Sequence, residues 1–111
     1  MDTLEKYQEI VQTILQKYTL IPSAYGNVVT ELIVSHDRNH FLLMDEGWQG
    51  DRRIHDWLVH VQIRDGKIWI QYDGIEDGIG NELVEAGIPR EFIVLGFYPL
   101  EVRQHTEFAV A

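Results

Sequence analysis

The dipeptide Asp65-Gly66 lies between two runs of alternating apolar and polar residues, WLVHVQIR and KIWIQY. Asp-Gly is a favoured two-residue turn of a β-hairpin, and so short a turn sets the register of both strands. With Arg64 opposite Lys67, Ile63 falls beside Ile68, Val61 beside Ile70 and Val59 beside Tyr72. Together with Trp57 these side chains share one face, which is the expected core face. The opposite face then pairs Gln62 with Trp69 and His60 with Gln71. Trp69 stands out among these polar neighbours, and a tryptophan there is expected to be covered by a helix or a dimer mate.

An earlier hairpin is expected from VVTELIV and FLLM, with the turn-favouring HDRNH between them. Its register stays open, because Val34 can oppose either Phe41 or Leu43. Before it, Leu4, Tyr7, Val11, Ile14, Leu15 and Tyr18 recur at three- and four-residue spacing and line one face of a helix. Thr3 is placed to cap that helix, and Pro22 follows its end. After the hairpins, Leu83, Val84 and Ala86 predict a short helix, with Gly87 able to end it in a left-handed conformation. Ile88 then folds back, Pro89 opens a further turn through Phe92, and IVLGF is a short strand or extended segment. The expected fold is α+β, in one domain over residues 1–111. It has an antiparallel sheet of about four strands in two hairpins, packed with an N-terminal helix and short C-terminal helices.

Charge narrows the function. Eighteen acidic against nine basic residues give a formal net charge of -9, so a nucleic-acid duplex repels the chain as a whole. The absence of cysteine removes disulfides, thiolate catalysis and cysteine-ligated metal. No apolar stretch has the length of a signal peptide or membrane span, and a cytoplasmic protein without membrane contact is expected.

Three clusters carry candidate chemistry. His36 and His40 flank Asp37 and offer metal ligands, although such a segment is also ordinary turn chemistry. Arg52 and Arg53 in GWQGDRRIHDW could fork around a phosphate or carboxylate, or pair with local acids. Asp73, Glu76, Asp77, Glu82 and Glu85 form an acidic run that could act as acid and base or bind magnesium, but reads rather as a solvated face, or as a surface for a basic partner. No serine sits in a nucleophile turn, and no catalytic residue, cofactor or metal site is assigned. The C-terminal EFAVA is nearly all apolar, which suggests a docked tail or one held for a partner.

The stretches DGKIWIQ, NELVEAGIP, IVLGF and TEFAVA occur in an order and at distances that resemble the XisI family. These are the fdxN element excision controlling factors of cyanobacteria, and the resemblance spans nearly the whole chain. The chain departs from the family pattern at Ile75, Gly80, Phe92 and Leu100. The resemblance implies a non-catalytic accessory protein that controls excision of a DNA element, working through an XisH-like partner with a nuclease-type fold. The link to DNA would then be indirect, through a recombinase or nuclease-like protein. The expected partner interface comprises Trp69, Phe97, Tyr98, Thr106, Glu107 and Phe108, and Trp69 with the apolar tail suggests a homodimer. The alternative is a small metal-dependent hydrolase or anion-binding module built on His36, His40, Arg52 and Arg53.

Overall fold

A computed structural model describes residues 2–22 and 27–111 of the chain. Helix α1 (Thr3–Tyr18) precedes strands β1 (Asn27–Val34), β2 (His40–Gln49), β3 (Arg52–Arg64) and β4 (Lys67–Asp73). Helix α2 (Gly80–Glu85), a 3-10 turn (Arg90–Phe92), strand β5 (Ile93–Leu95) and helix α3 (Leu100–Arg103) complete the order. The strands form one sheet in the order β1-β2-β3-β4-β5. The first four run as an antiparallel meander, whereas β5 joins β4 in parallel. The α+β class therefore holds, with one strand more than expected. That strand is parallel because α2 and the 3-10 turn return the chain to the start of β4, where Ile93 meets Ile68.

The Asp65-Gly66 turn forms with both residues at positive φ, 51° and 77°. Arg64–Lys67, Ile63–Ile68, Val61–Ile70 and Gln62–Trp69 pair as the turn requires. Beyond them the expected register fails, since an irregularity places His60 opposite Tyr72 and Val59 opposite Asp73. Gln71 is the extra residue of that bulge, so Tyr72 leaves the core face and is half exposed. A second bulge, at Leu58, puts Trp57 opposite Met44 while Val59 stays opposite Leu43. Trp57 is consequently exposed and not part of the core. In the first hairpin Val34 pairs with Phe41 and Leu32 with Leu43. Where β1 starts, Gly47 lies so close to it that a Cβ would sit 1.8 Å from the Asn27 carbonyl oxygen. A residue with a side chain there would force the two strands apart.

One face of the sheet is the core. Phe41, Leu43, Val59, Val61, Ile63, Ile68 and Ile70 pack against Tyr7, Val11, Ile14 and Leu15 of α1 and against Ile79, Leu83, Ile88 and Ile93. The start of α1 is capped by Asp2, not Thr3: the Asp2 carboxylate accepts from the Glu5 N–H at 2.8 Å, and Thr3 is already helical. Helix α2 ends as expected. Gly87 takes φ 116°, its N–H donates to the Val84 carbonyl, and the Ile88 N–H donates to Leu83 at 3.0 Å. This pair of bonds folds Ile88 back into the core.

Candidate functional site

Between the loop after β4 and the C-terminal segment lies a cleft of about 310 Å³, lined by Asp73, Glu76, Asp77, Phe97, Tyr98 and Phe108 among others. Its two walls come from chemically different stretches. The acidic wall is shaped by Asp73, whose carboxylate accepts the backbone N–H groups of Ile75 at 3.1 Å and Ile79 at 2.8 Å. Burial pushes the Asp73 carboxyl above its usual range, and the two N–H groups counter part of that shift. Glu76 and Asp77 follow on the loop that those bonds hold.

The aromatic wall is built by the tail. Phe97 and Tyr98 follow β5 and stand partly exposed, with ring centroids 4.5 Å apart. The Thr106 hydroxyl donates to the Arg103 carbonyl at 3.0 Å and accepts from the Phe108 N–H at 3.2 Å. That turns Phe108 inward against the core and against Gly80, where a Cβ would lie 3.0 Å from the ring. Ala109 then bridges Val94, and its N–H donates to the Ile93 carbonyl at 2.8 Å. An apolar ending is thus docked on the fold while two aromatic rings beside it stay open.

Of the six residues expected at a partner interface, the cleft gathers Phe97, Tyr98 and Phe108. Thr106 holds the tail turn, and Glu107 is exposed and pairs with Arg90 at 3.5 Å. Trp69 lies apart on the outer sheet face. The Arg64 guanidinium stands 3.9 Å from its ring centroid and that of Arg103 5.4 Å. Its cover therefore comes from its own chain.

The other candidate clusters are held locally. Asp37 accepts from the Ser35 hydroxyl at 2.6 Å and the Asn39 N–H at 3.0 Å. The first of these bonds does most to hold its carboxyl below the usual carboxylate range. His40 is turned toward His60 instead of sharing a site with His36 and Asp37, with Nδ1 and Nε2 3.0 Å apart. Burial, helped by the His40 ring, lowers the pKa of His60. Among the described residues no three His, Asp or Glu side chains are grouped to hold a metal ion. Arg53 pairs with Glu46 at 3.0 Å and lies over Trp48, so it serves the β2–β3 hairpin end; Arg52 stands at the same turn.

A further surface was not foreseen. Leu42, Trp57, His60 and Tyr72, with Asp56, line a broad depression on the outer sheet face. The two bulges create it, and nothing in WLV or IQYD marks where a bulge falls.

The chain matches the XisI protein family over residues 1–110. It belongs to the XisI family. Among solved structures it is similar to a XisI-like protein from Anabaena variabilis, with 41% identity and a TM-score of 0.88, covering 98% of this chain and 100% of that one. It is also similar to the fdxN element excision controlling factor XisI from Anabaena variabilis, with 38% identity and a TM-score of 0.83, covering 99% of this chain and 100% of that one. No curated protein matches. Gly80 gives the Phe108 ring the room it occupies.

Proposed function

We propose that this chain is a non-catalytic regulatory subunit in the control of DNA-element excision, and that it acts by docking its acidic, aromatic-walled cleft on a basic surface of an XisH-like protein. Membership of the XisI family and similarity to an excision controlling factor support the role. The observation that carries the docking is the meeting of Asp73, Glu76 and Asp77 with the open rings of Phe97 and Tyr98. Carboxylates beside aromatic faces suit a lysine or arginine side chain, through charge on one wall and cation–π attraction on the other. A net charge of -9 favours such a partner over direct contact with a duplex. Restraining or positioning a nuclease-like protein would follow if the contact covered its DNA-binding groove.

The test is co-expression with an XisH-like protein, affinity purification and native mass spectrometry. A defined complex is expected, and Phe97→Ala combined with Tyr98→Ala should weaken it roughly tenfold or more while leaving the melting temperature of the free chain nearly unchanged. Failure to associate overturns the subunit reading. Association that ignores the double substitution moves the interface away from the cleft.

A further inference from the structure

The two edges of the sheet are treated differently. Strand β5 is three residues long, and the tail covers part of it through Ala109. Strand β1 is eight residues long, NVVTELIV, and pairs with β2 along its whole length without a register shift. It carries no proline or lysine, residues that commonly blunt an exposed edge, and one charge, Glu31. Two of its apolar side chains, Val29 at 57% and Ile33 at 42%, are exposed on the outer face. Ile33 stands directly across from Leu42, so β1 continues the apolar outer surface.

The open hydrogen-bonding groups can be assigned. The Ser35 N–H donates to the His40 carbonyl at 3.0 Å, closing the β1–β2 hairpin. In an antiparallel ladder such pairs recur at every second residue, so Ile33, Glu31 and Val29 bond to β2. Val34, Leu32, Thr30 and Val28 therefore turn their N–H and C=O groups to the free edge. Among the described residues no backbone bond reaches these groups from elsewhere in the chain.

We infer that β1 is a dimerisation strand, which pairs antiparallel with β1 of a second copy to make one ten-stranded sheet across a two-fold axis. Antiparallel pairing of identical strands is self-complementary, as a two-fold interface requires. Charge resists a second copy only weakly along this strand. Each chain carries -9, yet β1 holds a single charged residue, Glu31. The register that uses the whole strand sets Val28 against the partner's Val34, Thr30 against the partner's Leu32, and Val29 against the partner's Ile33. It also brings Glu31 opposite the partner's Glu31, a repulsion that keeps the dimer from being tight. The basis for a homodimer thus moves from Trp69 and the tail, which make contacts within their own chain, to the opposite edge. This inference does not depend on the proposed excision partner.

Thr30 provides the decisive substitution, because its N–H faces out and its loss leaves the β1–β2 ladder intact. Its hydroxyl donates to Asp45 at 2.6 Å, and Thr30→Ala serves as the control for that bond. By sedimentation and native mass spectrometry at high micromolar concentration, wild type and Thr30→Ala should be dimers and Thr30→Pro a folded monomer. Glu31→Gln should tighten the dimer by up to about fivefold. In wild type, the amides of Val28, Thr30, Leu32 and Val34 should gain hydrogen-exchange protection as concentration rises, a readout that holds even if Thr30→Pro fails to fold. A monomeric wild type, or a dimer in which those four amides gain no protection, overturns the inference.

Discussion

Tyr18 closes the last turn of α1, and its phenol donates to the Glu82 carboxylate of α2, tying the first helix to a segment 64 residues away in sequence. Lys17 approaches the same carboxylate at 3.7 Å, an exposed pairing of little weight. Burial pushes the Tyr18 phenol up to about 12, with the Glu82 bond and charge adding to the shift. A raised folded pKa means that the protonated phenol stabilises the native state. That contribution is complete below the unfolded value near 10, and it is lost as pH rises from there through about 12. Tyr18→Phe should therefore cost about 1 kcal/mol at neutral pH, the net worth of one hydrogen bond. Its stability should also fall less steeply than that of wild type across this alkaline window. Chemical denaturation of both proteins over the range measures this, and parallel curves would refute the role of the phenol. The partner of Tyr18 was not legible in the sequence, where Glu82 appears only as one acid in a run; the return of the chain brings the two together.

Elements differ in how openly the sequence declares them. Asp65-Gly66 announced its hairpin because only a few residue pairs tolerate positive φ at two successive positions. The Gly87 stop was readable for the same reason. The bulges at Leu58 and Gln71 were not, since an inserted residue leaves no compositional mark and shows itself only as a loss of alternation. Trp57 and Tyr72 were consequently assigned to the core face, and the depression they line was missed. Strand β5 is legible as a short strand or extended segment but not as a parallel member of the sheet, because three residues carry no periodicity to read. The turn offers the sharpest test at this scale. Asp65 holds φ 51°, where asparagine is at least as comfortable and a β-branched residue is not. Asp65→Asn should match wild type or gain a few tenths of a kcal/mol, whereas Asp65→Val should lose about 1–2 kcal/mol. Thermal denaturation ranks the three, and a tolerated valine would show that the strands, not the turn, hold the register.

At the scale of the whole molecule, the C-terminal segment divides into a docked part and an open part. Phe108 packs against the core and Ala109 extends the sheet edge, while Phe97 and Tyr98 stay open beside the acidic loop. The apolar letters of TEFAVA were visible from the start. What was not visible is how they divide, because that depends on Thr106 turning the backbone and on Gly80 leaving space for a ring. The division predicts that tail and cleft can be separated by mutation. Deleting residues 106–111 removes the Phe108 ring and exposes part of β5, and should cost about 3–5 kcal/mol, as large aromatic truncations in cores do. Phe108→Ala should account for most of that loss. Phe97→Ala with Tyr98→Ala, which removes rings already facing water, should shift the melting temperature far less. If the truncated chain melted with wild type, the tail would not be part of the fold, and its apolar residues would have to serve a partner alone. If all three variants were equally destabilised, Phe97 and Tyr98 would belong to the packing, and the cleft would lose its claim to be a docking surface.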